Sequence, residues 1–318
     1  MQNLCRQEQQ STIGRFAPSP TGPLHTGSLV AAVGSWLMAK GGGGTWLLRI
    51  DDLDRPRCRQ QFEDDILRTL ERFGLVWDGA VSRQSANTEQ YTAAFEQLQQ
   101  LGVVYPCGCS RAEIARIATA PHPGEEVVYP GTCRNGLPPG QKPRSWRLRT
   151  TGVTVVFDDS RHGRITTDLA TSGDFVVKRA EGIFAYQLAV VVDDRLSGVN
   201  QVVRGDDLLE STPRQVLLHQ LLGWRLPQYC HLPLVTGPGG GKLSKRDNTV
   251  SLADGRVAGR EAQLLVKALD FLGVRVPAEL QGADCCKLLA WAATAFRPEL
   301  LPWHVAPESL TICLRPCD

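Results

Sequence analysis

The sequence predicts an α/β fold: a Rossmann-type doubly wound parallel sheet with a Cys-containing insertion and a small, mainly helical C-terminal region. Three observations predict it. Strand-like and helix-like segments alternate through residues 1–105 and again through 181–247, the rhythm of strand–helix–strand units. Residues 106–180 break that rhythm with prolines, glycines, short β-type pieces and three close cysteines, and read as an insertion. From 248 to 318 the apolar spacing is mainly helical. The 318 residues suffice for a sizeable core.

The elements follow in order. Residues 12–16 form a short strand, and Pro18, Pro20, Gly22 and Pro23 then hold an extended loop, because proline fixes φ and glycine permits tight turns. Residues 27–40 are helical, with Leu29, Val33, Trp36 and Leu37 on one face, and Gly41 to Gly44 stop the helix. Residues 45–50 are a strand. Residues 59–73 form an amphipathic helix ending at Gly74, and residues 88–101 another ending at Gly102. Residues 103–105 are a short strand. Within the insertion, 145–149 and 153–157 are β-type. Residues 186–192 and 201–204 are expected as strands, 212–222 as a helix stopped by Gly223, and 260–272 and 284–296 as helices.

Composition narrows the function classes. Hydrophobic residues make up 42% and charged residues 21%, an ordinary globular balance. A net charge of +2 is too small to make nucleic-acid binding a property of the whole surface, so any RNA contact needs a local basic face. Met1 to Ser11 is polar, unlike a secretory signal, and Leu188 to Val192 is far too short to span a bilayer. A cytoplasmic protein without membrane partners is expected. Thiols there stay reduced, so clustered cysteines suggest metal or catalysis, and scattered ones suggest buried structural thiols.

Two segments carry chemistry. In Arg15-Phe-Ala-Pro-Ser19-Pro-Thr-Gly-Pro-Leu-His25-Thr-Gly27-Ser28, a strand ends, a rigid loop follows and His25 lands just before a helix N-terminus. Free backbone N–H groups and the positive dipole end make that an anion site. His25 can donate to phosphate oxygens, and Gly27 lets a nucleotide approach the backbone. In Gly237-Pro-Gly-Gly-Gly-Lys242-Leu-Ser-Lys245-Arg246, a glycine-rich loop presents two lysines. Lysine is a mobile point charge suited to a phosphate that gains charge in the transition state. Either segment alone reads as a polar surface loop; the pair is much harder to obtain by chance.

Together they resemble the paired signature motifs of class I aminoacyl-tRNA synthetases, in variant form: Ser28 ends the first where many members have histidine, and Arg246 ends the second where many have serine. Arg15 to Gly22, Leu48-Arg-Ile-Asp51-Asp-Leu-Asp54, Phe184 to Asp194, Val203-Arg204-Gly-Asp206 and Lys242 to Lys245 extend the resemblance to the glutamyl-tRNA synthetase catalytic domain, over about residues 12–250. Because the chain ends soon after the lysine loop, no helical anticodon-binding domain is expected. That and the cysteine insertion resemble the short paralogues, the glutamyl-queuosine tRNA(Asp) synthetases.

That resemblance implies an ATP-dependent ligase, a monomer, that forms glutamyl-adenylate and passes glutamate to queuosine at the wobble position of tRNA(Asp). ATP with Mg²⁺ and L-glutamate would be substrates, and the tRNA(Asp) anticodon stem-loop carrying queuosine the partner. It implies catalytic roles for His25, Lys242 and Lys245, and ATP contacts from His25, Gly27, Ser28 and Lys245. It implies a glutamate pocket of Arg15, Ser19, Asp51, Tyr186 and Arg204, in which Arg15 and Arg204 suit carboxylates by bidentate pairing. Asp51 stands where the family usually has glutamate facing the substrate ammonium. Its carboxylate sits about one methylene, roughly 1.5 Å, further back.

Cys107-Gly-Cys109 and Cys133 could converge on one tetrahedral Zn²⁺, with His122, Tyr129 or water as the fourth ligand. The family spacing, Cys-x-Cys then Tyr-x-x-x-Cys, implies Tyr129 and one structural zinc per chain. Asp193-Asp194 and Asp206-Asp207 are read as turn or helix caps without a role in proton transfer. His162, His219, His231 and His304 carry no motif. Two other functions stay open: a glutamyl-tRNA synthetase acting on a tRNA 3′ end, and a catalytically silent RNA-binding paralogue.

Overall fold

The first strand, β1 (Ile13–Phe16), pairs in parallel with β2 (Thr45–Ile50), and α1 (Thr26–Lys40) connects them. The computed structural model describes residues 11–117, 128–235 and 251–302. Lys242, Lys245 and Arg246, and the alternative zinc ligand His122, lie outside the described residues, as does His304. The chain continues through α2 (Gln60–Arg72), β3 (Ser82–Arg83), α3 (Thr88–Gln100), β4 (Val104–Cys107), α4 (Arg111–Ile117), β5 (Ser145–Leu148), β6 (Thr154–Asp159), β7 (Gly163–Asp168) and β8 (Phe175–Arg179). It then forms α5 (Tyr186–Leu196), β9 (Gln201–Gly205), α6 (Thr212–Leu222), β10 (Gln228–Leu232), α7 (Glu261–Phe271) and α8 (Cys285–Ala295).

Two parallel groups of strands meet at β1 and β9. β2 pairs β1 on one side and β3 on the other, and β9 pairs β10, all in parallel. β9 lies against β1, where Asn200 closes the seam: its N–H donates to Ile13 O at 3.0 Å and its side-chain oxygen accepts from Ile13 N–H at 2.8 Å. From this seam the chain order runs one way through β2 and the other way through β10. That is a topological switch point, where the carboxyl ends of strands open a crevice.

Three sequence expectations need correction. Tyr186 to Val192 is not a strand but the start of α5. A short apolar run rich in valine cannot be told from a buried helix by periodicity. Here every residue from Leu188 to Asp194 is buried, which a helix enclosed on all sides permits. The Asp193-Asp194 doublet, expected to cap a turn, lies in the last turns of α5 and is buried in an ion network. A third difference concerns residues 103–105, expected to continue the parallel sheet. β4 instead pairs antiparallel with β5, which pairs antiparallel with β8.

The insertion is tied into the main sheet. β6 and β7 form an antiparallel hairpin, and Asp159, at the end of β6, pairs with Tyr229 of β10. The main core divides by the faces of the sheet, Val203 of β9 joining one cluster and its neighbour Val202 the other. α1, α7 and α8 share one cluster in which Leu37, Trp46, Leu265, Leu269 and Leu288 have no exposed surface. Each such leucine contributes roughly 2 kcal/mol of burial. α3, α5 and α6 share a second cluster with Leu148, Val155 and Val177, and a small third one gathers around Tyr105, Cys107, Tyr129 and Cys133.

Candidate active site

The carboxyl ends of β1, β2, β9 and β10 border one cleft of about 350 Å³. Arg15, Ser19, His25, Gly27, Ser28, Asp51, Tyr186 and Arg204 all line it, so every described residue expected to bind ATP or glutamate opens onto the same space. Arg15 is carried by β1, Ser19 and His25 by the following loop, and Gly27 and Ser28 by the first turn of α1. Asp51 directly follows β2, Tyr186 starts α5, and Arg204 sits near the end of β9.

His25 is the N-cap of α1. Its Nδ1 accepts the Ser28 N–H at 3.3 Å, which leaves the ring proton of the neutral imidazole on Nε2. A Cβ on Gly27 would stand 3.1 Å from His25 Cε1, so glycine leaves room for the ring as well as for a ligand. The floor of the loop is fixed by Asp51 N–H, which donates to Pro18 O at 3.0 Å. Ser251 forms an antiparallel bridge with His25, and Leu252 N–H donates to Leu24 O at 2.8 Å. Val235, on the other flank of residues 236–250, lines the cleft.

Beneath the cleft lies a buried cluster of two arginines and three aspartates. Arg15 Nε and Nη2 donate to Asp194 Oδ1 and Oδ2 at 3.0 and 3.2 Å. Arg49 Nη1 donates to Asp194 Oδ1 at 2.6 Å, and its Nε donates to Asp51 Oδ1 at 2.7 Å. Asp193 stands 3.7 Å from Arg49 Nε and accepts from Gln84, Asn87 and Tyr91. Burial alone would raise the Asp194 carboxyl, but the Arg15 and Arg49 guanidiniums outweigh it and hold the group down at about 2. Asp51 goes the other way: burial outweighs its single arginine partner and pushes its carboxyl up to about 6.

Arg49 stands in the Leu48-to-Asp54 motif, but the motif alone gives it no role, and the partners of Asp193 stand in no motif. The cluster is assembled from β1, β2 and α5 across long sequence separations, and no local pattern announces it. Arg204 is also anchored from below. Its Nε donates to His231 Nε2 at 3.1 Å and its Nη2 to Thr212 Oγ1 at 2.7 Å. Both arginines that line the cleft beside Arg15 keep one buried nitrogen, Arg49 Nη2 and Arg204 Nη1, with no hydrogen-bond acceptor among the described residues. Such N–H groups are costly to leave unmade.

A second constellation lies in the insertion. The Sγ atoms of Cys107, Cys109 and Cys133 fall within 4.8 Å of one another, with Cys109 and Cys133 at 3.6 Å. Tyr129 Oη lies 3.3 Å from Cys107 Sγ and 3.8 Å from Cys109 Sγ, and it accepts the Cys133 N–H at 2.8 Å. A tetrahedral zinc with Zn–S bonds of about 2.3 Å separates its sulfurs by about 3.8 Å. The three sulfurs and one phenol oxygen fit that ion. Gly173 (φ +70°) lets the chain pass Tyr129, since a Cβ there would meet Tyr129 O at 2.9 Å. The buried Asp174 carboxylate accepts from Tyr105 of β4, Arg134 and Thr150, and its backbone carbonyl accepts from Arg147 of β5, which ties the cluster to both strands.

Comparison with known proteins gives a consistent picture. Residues 12–285 match the family described as tRNA synthetases class I (E and Q), catalytic domain. Among similar proteins, the glutamyl-Q tRNA(Asp) synthetase of Geobacter sulfurreducens is 60% identical over 94% of this chain and 96% of its own. That of Thiobacillus denitrificans is 51% identical over 92% and 95%. Among solved structures, a glutamate-tRNA synthetase from Elizabethkingia anophelis superposes with a TM-score of 0.78 at 26% identity, covering 92% of this chain and 67% of that one. A glutamate tRNA ligase from Elizabethkingia meningosepticum, in complex with its amino acid, gives 0.74 at 27%, covering 92% and 66%. Among the described residues no helix is long and apolar enough to cross a membrane.

Proposed function

We propose a function from one premise: the chain belongs to the class I tRNA synthetase family of E and Q type, is a ligase, and groups with the glutamyl-Q tRNA(Asp) synthetases. It activates L-glutamate with ATP to glutamyl-adenylate and transfers the glutamate to queuosine at the wobble position of tRNA(Asp). The observation that carries this reading is the single cleft shared by His25, Gly27 and Ser28 on one side and Arg15, Asp51, Tyr186 and Arg204 on the other. A nucleotide anion site and a set of carboxylate and ammonium partners thus face one reaction volume.

In the first step a glutamate carboxylate oxygen attacks the α-phosphorus of ATP and pyrophosphate leaves. The carboxylate is already a nucleophile at neutral pH, so the protein acts by positioning and by charge stabilisation. His25 Nε2–H and the first turn of α1 receive phosphate oxygens, and Gly27 gives them room. Lys242 and Lys245 neutralise the charge that builds on the phosphates. The described residues on both flanks of their segment, Val235 and Ser251, touch the cleft or His25 itself, which favours this role. Mg²⁺ enters with ATP and keeps most of its own waters. Arg204 and Arg15 pair with substrate carboxylates, Ser19 and Tyr186 supply hydrogen bonds, and Asp51 faces the ammonium.

Cys107, Cys109, Tyr129 and Cys133 hold one structural Zn²⁺, a role supported by the fit of three sulfurs and one oxygen to a tetrahedron. Glutamate-dependent exchange of pyrophosphate into ATP without tRNA tests the activation step. Robust exchange is expected. Its absence with intact His25, Lys242 and Lys245 would favour a catalytically silent RNA-binding protein.

A further inference from the structure

Arg204 does not lie free in the cleft wall. Its side chain is 5% exposed and held at two points: Nε donates to His231 Nε2 at 3.1 Å, and Nη2 donates to Thr212 Oγ1 at 2.7 Å. A guanidinium can only donate. His231 must therefore offer a lone pair at Nε2, which also lies 2.9 Å from the Thr212 hydroxyl, and its ring proton must sit on Nδ1. Nδ1 lies 2.7 Å from Asp159 Oδ2, a carboxylate that can only accept while ionised. Both side chains have no exposed surface. The three groups form one directed chain, from the Asp159 carboxylate through the imidazole to the Arg204 guanidinium.

Asp159 is itself over-determined. Its Oδ1 accepts the backbone N–H groups of Arg161 and His162, each at 2.9 Å, and its Oδ2 also accepts the His231 N–H at 3.1 Å. It ends β6, a strand of the insertion hairpin, and pairs there with Tyr229 of β10. The insertion thus reaches the cleft through one polar line, and that line ends on a residue of the cleft wall.

We propose that His231 is a positioning residue for amino-acid recognition: with Asp159 fixing its tautomer, it sets the orientation of the Arg204 guanidinium and hence the affinity for the substrate carboxylate. Burial lowers the pKa of the imidazole, and the hydrogen bond to Asp159 only partly opposes this, in keeping with a neutral ring. A proton on Nε2 would point at Arg204 Nε–H and remove the acceptor. The inference rests on the reading of Arg204 as a glutamate ligand.

The test is pyrophosphate exchange by the full chain, with KM measured separately for glutamate and ATP. His231→Phe removes both ring nitrogens at similar volume and is expected to raise the glutamate KM about tenfold or more, the loss of one charge-assisted hydrogen bond. The ATP KM should stay within about twofold, because ATP does not use Arg204. His231→Gln keeps an acceptor oxygen for Arg204 and should recover most of the loss. Should His231→Phe fail to fold, as judged by its melting curve, Asp159→Asn carries the same test. Its amide can donate to Nδ1 and shift the ring proton to Nε2, and it should raise the glutamate KM alone. Equal increases in both KM values, or His231→Gln as impaired as His231→Phe, would mean a general packing role and overturn the proposal. So would an unchanged glutamate KM in His231→Phe when Arg204→Ala raises it. If Arg204→Ala itself leaves that KM unchanged, the reading of the site fails first and the positioning role falls with it.

Discussion

Asp194 and Arg15 form a buried two-pronged pair under the cleft, Oδ1 to Nε at 3.0 Å and Oδ2 to Nη2 at 3.2 Å, and the same Oδ1 takes a hydrogen bond from Arg49. One carboxylate on α5 therefore locks side chains from β1 and β2. Asp194→Ala would leave two buried guanidiniums short of a partner, a change that costs on the order of 3 kcal/mol or more. Denaturant unfolding of the variant should show that loss. The pH dependence has a defined sign. The Asp194 carboxyl is held down at about 2, below its ordinary 3.8, so its stabilisation is present above pH 3.8 and disappears as pH falls from there toward 2. Wild type and variant should converge in stability over that window.

Asp51 should govern glutamate affinity and its pH profile. With the free carboxyl pushed up to about 6 by burial against the pull of Arg49, a substrate ammonium finds a charged partner above pH 6 and a neutral one below it. The glutamate KM is expected to rise as pH falls from 7 to 5. Asp51→Ala should raise it at least about tenfold at pH 7.5 and flatten that rise. An unchanged KM in the variant removes Asp51 from the pocket.

Gly27 should matter through His25. Alanine there brings Cβ to 3.1 Å from His25 Cε1, so the ring must yield by a few tenths of an ångström. Gly27→Ala is expected to lower kcat roughly tenfold in pyrophosphate exchange, because misplacement on that scale is felt at a reacting phosphate. Retention of full kcat would show that the His25 ring tolerates the shift.

The insertion should carry metal. Protein purified without a metal-binding tag is expected to hold close to one zinc per chain by elemental analysis. Cys133→Ser should lose most of it and melt earlier, since binding energy at such a site is folding energy. Metal-free wild-type protein would defeat the zinc assignment while leaving the cleft untouched.

The sequence shows some parts of this molecule much more plainly than others, and the reason is range. The boundaries of α1 and α6 follow from local signals: His25 before the first turn, and Gly223 after the last with φ +71°. The cleft wall could be listed from motifs because short loops at strand ends carry it. Tyr186 to Val192 misled because apolar residues on every face suit a buried strand and a buried helix alike. The Asp159–His231–Arg204 line and the Arg15–Asp194–Arg49 cluster join residues 27 to 179 positions apart. No periodicity encodes such contacts; only the assembled sheet brings them together. The same holds for β6, which has the alternation of any half-buried strand and gives no sign that it pairs with β10.

We propose that this cleft delivers activated glutamate to a modified base and not to a tRNA 3′ end. The direct measurement is transfer of labelled glutamate, with ATP and Mg²⁺, to tRNA(Asp) containing queuosine, to the same tRNA without it, and to tRNA(Glu). Labelling of the queuosine-containing tRNA(Asp) alone is expected, with the label in the anticodon fragment and not on the 3′-terminal nucleotide after ribonuclease digestion. Labelling of tRNA(Glu), or equal labelling of tRNA(Asp) with and without queuosine, would contradict it.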